Sequence, residues 1–204
     1  MKILTSCFAI IAAMLFASTA EAQQTINGCL IKRRASCPGA NLSGMDLTKS
    51  NLSNSDLSGA NLSGANLSAD KIAETNLTKA NLSGANLAGT ILSATYMSNA
   101  NLSHANLDKA DLSQSTLQDA NLMEANLAGA NLSMANLKGA NLSGANAKGA
   151  VFIMASLANA NLTRADLTEA TLVGADLGNA ILAGARFCKT TMPDKSINNS
   201  GCPK

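Results

Sequence analysis

The chain has one histidine, no CxxC pair and no surplus of either charge, since fifteen basic against thirteen acidic residues leave a formal net charge of +2. Each deficit removes a class of function. His104 falls at an outward turn position with no Ser or Cys nucleophile partner in view, so the pairing that activates a nucleophile is missing. A zinc centre needs clustered Cys and His ligands, which the spacing does not offer. Near-neutrality implies neither a nucleic-acid partner nor an acidic mimic of one. No Gly-rich loop follows a strand and opens a helix, as phosphate binding would require. Acidic residues such as Asp108, Asp111, Asp119 and Glu124 are interspersed with Lys109 and other lysines, as on a solvated surface rather than in a paired-carboxylate cleft. No catalytic residue, metal or cofactor is expected, and the chain is not expected to be an enzyme.

Long apolar runs are also scarce. Lys2 is followed by a mostly apolar stretch from Ile3 to Ala17 and then by Ala20-Glu21-Ala22, a small-x-small pattern. The run is too short to span a bilayer comfortably. Residues 1–22 are read as a secretory signal peptide cut before Gln23. Leu4-Thr5-Ser6-Cys7 lies before the apolar core, so lipid attachment is not expected. The mature chain is expected to be exported, periplasmic or extracellular, with no membrane anchor left and its charge still near +2, because Lys2 and Glu21 leave together.

What the chain has in abundance is one pattern. From Ala40 to Lys189 it reads as thirty consecutive pentads of the form A-(N/D)-L-x-x with no insertion or deletion. Leu holds the central position in 25 of 30, the others being Ile72, Met97, Ala147, Phe152 and Phe187. Two residues earlier stands Ala in 22 of 30, and the substitutes are mostly Ser or Thr; only Met45 and Asp70 strain that small column. Residues two apart on an extended chain share a face, so both columns point inward. Five is odd, and a straight strand would throw successive leucines to opposite faces. On an α-helix they would scatter around the cylinder. The pattern is satisfied when the chain turns a corner once per pentad, always to the same side. Ser, Asn and Gly at the last two positions suit that corner and disfavour helix.

At a period of twenty, the position before Leu reads Asn41, Asn61, Asn81, Asn101, Asn121, Asn141 and Asn161, which supports four corners per coil. Coils stacked at about 4.8 Å then give about seven and a half coils and a rod roughly 36 Å long. These repeats, covering about three quarters of the chain, resemble those of the pentapeptide-repeat family. The resemblance implies an all-β fold, a right-handed quadrilateral β-helix with the central Leu or Phe and the preceding small residue stacked inside. It transfers no binding site, because the shared residues are core residues.

With Cys7 removed in the signal, Cys29, Cys37, Cys188 and Cys202 remain, an even count that suits an exported chain. Two precede the repeats and two lie at or beyond their end, too far apart on a rigid rod to cross-link. Pairs Cys29–Cys37 and Cys188–Cys202 are predicted. They would close a cap over 23–39 and another over 190–204, flanking the β-helix of 40–189. Terminal coils lack one neighbour and need such covering. Cys37 keeps the pentad phase and is the first inward candidate, and Pro193-Asp194-Lys195 offers the turn of the second cap. Lys32-Arg33-Arg34 reads as solvated surface rather than an anion site.

Two features depart from the repeat. Asp70 falls in the inward small column: either the coil deforms to let it reach solvent, which is the expectation, or backbone amides satisfy it. Val151, Ile153 and Met154 face outward, near Met134 one coil below and Val173 one coil above, forming a candidate contact patch for a homodimer or a protein partner. The favoured function is a non-enzymatic exported scaffold or protein-binding solenoid. Two alternatives stand beside it: a DNA-mimicking gyrase protection factor, which the family resemblance alone suggests, and a lattice-binding protein for ice or polysaccharide using the Asn/Ser face.

Overall fold

The computed structural model describes residues 25–203. The expected signal peptide, 1–22, lies outside the described residues. The chain opens with a hairpin of β1 (Thr25–Ile26) and β2 (Cys29–Leu30). Its two-residue turn is Asn27-Gly28, both at positive φ (48 and 80), the conformation that matches the twist of a tight hairpin. A second hairpin of β3 (Thr190–Thr191) and β4 (Ile197–Asn198) closes the other end, turning at the predicted Pro193-Asp194.

Between them the chain winds as a β-helix. Parallel bridges join residues twenty apart from Ser36↔Asp56 to Thr171↔Thr191, four pentads to each circuit. Every N–H of a typical pentad has a destination. In the pentad that starts at Ala100, Asn101 N–H donates down to Ala80 O (2.9 Å), Leu102 N–H up to Asn121 O (2.7 Å) and His104 N–H up to Met123 O (2.9 Å). Ala100 N–H itself turns back to Met97 O (3.1 Å) and closes the corner before it. The remaining amide, Ser103, donates to the Asn101 side-chain Oδ1 (3.2 Å). Backbone donors must be paired when buried, and here four go to backbone and one to the Asx residue. The fifth position takes positive φ at residue after residue, for example His104 at 58, which explains why Gly and Asn recur there.

Leu and small residues fill the axis as the pattern requires, and most inward leucines are fully buried. Hydroxyls in the small column are satisfied internally: Thr75, Thr90 and Thr190 donate to the carbonyls of Leu52, Leu67 and Leu167 at 2.7–2.8 Å. Met45, the large residue of that column, stays 36% exposed because it lies in the first coil, where the wall around it is incomplete. Ala147 and Phe152, the smallest and largest inward residues, follow one another in one coil and are both buried. The ring is expected to take the space that Ala147 leaves. Phe152→Leu is expected to cost about 1–2 kcal/mol through the cavity it opens, and Ala147→Leu about 1–3 kcal/mol through overpacking. Together they recreate the repeat's ordinary layer, so the double variant should return to within about 1 kcal/mol of the parent in urea unfolding. Simple addition of the two losses would show that the side chains do not share that space.

Asp70 does not reach solvent. It is 5% exposed and held by a cluster of donors. Oδ2 accepts from Ser50 Oγ (2.6 Å) and Ser50 N–H (3.1 Å), and Oδ1 from Lys71 N–H (2.7 Å) and Asn51 N–H (3.1 Å). The expected escape of the carboxylate is thus corrected. Ser50, one coil below, is small enough to leave room and brings two donors. The coil does deform, but around the charge: the Asn51–Lys71 rung is missing from the ladder and Asn51 takes positive φ (45).

Candidate functional site

The pentad corner decides what faces out. Second-position side chains lie along the coil walls and fourth- and fifth-position ones at the corners. Met134 and Met154 occupy fifth positions at φ 58 and 57, and they are the only large apolar residues in that column, which otherwise holds Gly, Ala, Asn, His, Gln and charged residues. They are 53% and 67% exposed, and Ile153 beside them is 38% exposed. Val151 and Val173 are half-buried. Successive coils are registered here by Met134 N–H to Ile153 O (2.8 Å) and Met154 N–H to Val173 O (2.9 Å). The five residues therefore form a vertical strip over three coils. Val151 also replaces the usual Asx residue, and among the described residues no group accepts from the Ile153 N–H. The strip thus offers apolar side chains beside an open donor.

Other outward apolar residues, Ile91, Tyr96, Ile181 and Ile197, are exposed but stand apart from the strip. Sequence reasoning passed over all four. The signal available for Ile181 was its place in the otherwise all-Asn column.

The Asn column is a ladder. Nδ2 of Asn121, Asn141 and Asn161 donates to Oδ1 of the Asn one coil below at 3.2–3.3 Å. A second ladder climbs through Asn86, Asn106, Asn126 and Asn146 at 2.9–3.1 Å. Each Oδ1 in mid-ladder also receives an amide two residues on. The carboxamide oxygens of both ladders are thus spent within the rod.

Both cysteine pairs are bonded as predicted, Cys29–Cys37 with Cα atoms 5.3 Å apart and Cys188–Cys202 at 4.6 Å. His104 stands outward with Nδ1 3.4 Å from Glu124 Oε2 one coil above, both side chains more than half exposed. Lys32, Arg33 and Arg34 are exposed. Among the described residues no cluster of His, Cys, Asp or Glu is placed to hold a metal.

A family model described as pentapeptide repeats matches in 8 copies over residues 33–69, 75–119, 105–144, 120–155 and 148–184. The chain belongs to the pentapeptide-repeat family. Its members fold as right-handed β-helices and are generally non-catalytic structural or binding proteins, with no enzyme family indicated. Comparison with curated proteins returns no match. Among solved structures the chain is similar to HetL, a pentapeptide-repeat protein involved in heterocyst differentiation regulation in the cyanobacterium Nostoc, at 30% identity over 82% of this chain and 94% of that one (TM-score 0.32). A trypsin-treated form of QnrB1, a plasmid-mediated fluoroquinolone resistance protein, shares the fold at 19% identity over 74% of this chain and 78% of that one (TM-score 0.53). A pentapeptide-repeat protein of the Arabidopsis thaliana thylakoid lumen is 32% identical over 54% of this chain and 66% of that one (TM-score 0.24).

Proposed function

We propose that this pentapeptide-repeat protein is an exported, non-enzymatic scaffold that binds a protein partner through the strip formed by Met134, Val151, Ile153, Met154 and Val173. The rod is read as quadrilateral, of about seven and a half coils at twenty residues each. Export is supported by the two disulfides, which persist in oxidising compartments, and by the signal-like 1–22. The observation that carries the partner reading is the exposure of Met134, Ile153 and Met154 together, two to three coils above Ile91, the other exposed large apolar residue of that wall. Apolar groups clustered at outward positions contribute nothing to the core and favour contact with another surface. Five side chains cover little beside the roughly 1,200 Å² of a stable dimer interface, so the strip serves as an anchor for a partner protein rather than a self-sufficient dimer face.

Duplex mimicry fits less well. It needs a strongly negative surface, and the formal charge is +2. Lattice binding fits less well for a different reason, since the Asn ladders already spend their hydrogen bonds on one another.

Affinity capture by the exported, oxidised protein tests the proposal against the double variant Ile153→Asp, Met154→Asp. Both positions are exposed, so melting should be unchanged while the captured partner falls by about tenfold or more, as for loss of a small hot spot. Equal capture by parent and variant removes the strip from the proposal.

A further inference from the structure

The wall that carries Tyr96 interrupts its own ladder. One coil below the ring, Asn76 Nδ2 donates to Asp56 Oδ1 (3.1 Å) and Asn76 Oδ1 accepts the Thr78 N–H (3.1 Å). In the next two coils Tyr96 and Thr116 stand where the Asx residue belongs, and among the described residues no group accepts from the N–H of Ser98 or Gln118. One coil higher the pattern resumes, with Lys138 N–H donating to Asn136 Oδ1 (3.2 Å). Two amides on adjacent coils, stacked about 4.8 Å apart, are therefore open donors between closed ones. The hydroxyls of Thr78, Ser98 and Thr116 around them also have no partner among the described residues. Tyr96 is 57% exposed, yet its backbone is fixed on both edges: its N–H donates to Thr75 O (3.0 Å) and its carbonyl accepts from Leu77 N–H (2.7 Å). Consecutive open amides recur on the adjoining wall, at Ala73 with Ser93 and at Ile153 with Val173, but no aromatic ring stands beside them.

We propose that this patch binds a neutral N-acetylated sugar, its pyranose ring laid on the face of Tyr96, its acetamido carbonyl and a neighbouring ring oxygen taken by the two open amides. The face of an aromatic ring is negative and attracts the slightly positive C–H groups of a saturated ring. A backbone N–H is a donor only, so it selects an acceptor, and a carbonyl oxygen meets it as the ladder's own acceptors do. The sugar's hydroxyls both donate and accept, which matches the unspent hydroxyls of Thr78, Ser98 and Thr116. Charge excludes the other ligands that stack on a ring. Lys79 and Asp119 hold the corner below and above Asn99 and offset one another, while Glu74 stands at the opposite corner. A nucleic-acid strand needs a basic groove for its phosphates, which these corners do not supply. The asparagine ladders that disfavour lattice binding on their own face are no obstacle here, because this wall's ladder is broken at the two coils concerned. The inference is independent of the strip from Met134 to Val173 and of its partner.

The chain has one tyrosine and no tryptophan, so the intrinsic fluorescence of the exported, oxidised full chain reads this patch alone. Titration with the N-acetylglucosamine trisaccharide is expected to change the tyrosine emission saturably in the millimolar range. The matching glucose trisaccharide lacks the acetamido carbonyl and should bind about fivefold more weakly, as for one lost hydrogen bond. In nitrogen-15 spectra the Ser98 and Gln118 amides should shift with the sugar, and the Ile153 and Val173 amides, open but without a ring, should not. Thr116→Asn gives the Gln118 N–H an acceptor, as Asn136 does for Lys138, and keeps the fluorophore; it should stay folded and weaken the sugar about fivefold. Tyr96→Asn, which continues the ladder of Asn76, should abolish the amide shifts without lowering the melting temperature. An emission that the N-acetylated sugar leaves unchanged, equal binding of both trisaccharides, shifts centred on Ile153 and Val173, or a response to a single-stranded oligonucleotide in place of the sugar would each overturn the assignment.

Discussion

Leu122→Asp is expected to divide the thermal unfolding of the rod into two transitions and to lower the first by about 10 °C or more, taking about 3–5 kcal/mol for an uncompensated buried charge and about 2–4 °C per kcal/mol in a domain of this size. Leu122 is fully buried in mid-rod, with Leu102 and Leu142 one coil below and above. The neighbouring axis residues Leu117 and Leu127 are equally buried, so nothing polar is at hand to receive a carboxylate. In a solenoid each coil contacts only its neighbours, and stability is close to a sum of coil and interface contributions. A fault in the middle therefore uncouples the segments on either side instead of weakening the whole uniformly. Gln114→Asp, outward and exposed, is the control and should shift stability by no more than about 0.5 kcal/mol. A single, unshifted transition for Leu122→Asp in calorimetry would mean that the axis is not the dry leucine stack described.

Asp70 responds oppositely to two substitutions that look alike. Asp70→Asn keeps the shape but brings one acceptor and an NH₂ donor to a site lined by Ser50 N–H, Ser50 O–H, Asn51 N–H and Lys71 N–H. Ser50 N–H still has Leu47 O (3.1 Å) and the amide oxygen still serves Asn51 and Lys71, so the Ser50 O–H is the donor that loses its acceptor, and the loss should be about 1–3 kcal/mol. Asp70→Ala removes the carboxylate and restores the repeat. Lys71 N–H can then return to Ser50 O, and Leu52 N–H to Lys71 O, as Asn66 N–H meets Met45 O (2.9 Å) and Leu47 N–H meets Asn66 O (2.8 Å) in the coil wall alongside. This variant should match or exceed the parent in urea unfolding. If Ala costs more than Asn, the carboxylate is not the cause of the missing rung.

The repeat was legible because its period is odd. Leu at every fifth residue leaves one way to put all leucines inside, and the Ala two before it narrows the wall on the same side. The disulfides were legible because a rod separates its ends. Asp70 was misjudged since its partners, Ser50 and Asn51, lie twenty and nineteen residues earlier, where composition gives no hint of converging donors. The backbone role of Asn was available and missed: an Asx two residues before an unpaired amide is a turn device, and Asn101 with Ser103 shows it. Exposure of Leu177 and Leu182 was not legible, because both sit in unbroken pentads, and it is the short non-repetitive tail after Cys188 that fails to cover them.

Bridges that join residues twenty apart make the length of this molecule discrete. Excising one whole circuit from mid-rod would bring each surviving wall residue above its former second neighbour, in the same column. Excising a single pentad would instead shift every later column to a different wall from the earlier ones, breaking the asparagine ladders at the cut. Growth or loss that respects the surface therefore comes in whole circuits, although the leucine axis itself would accept any multiple of five.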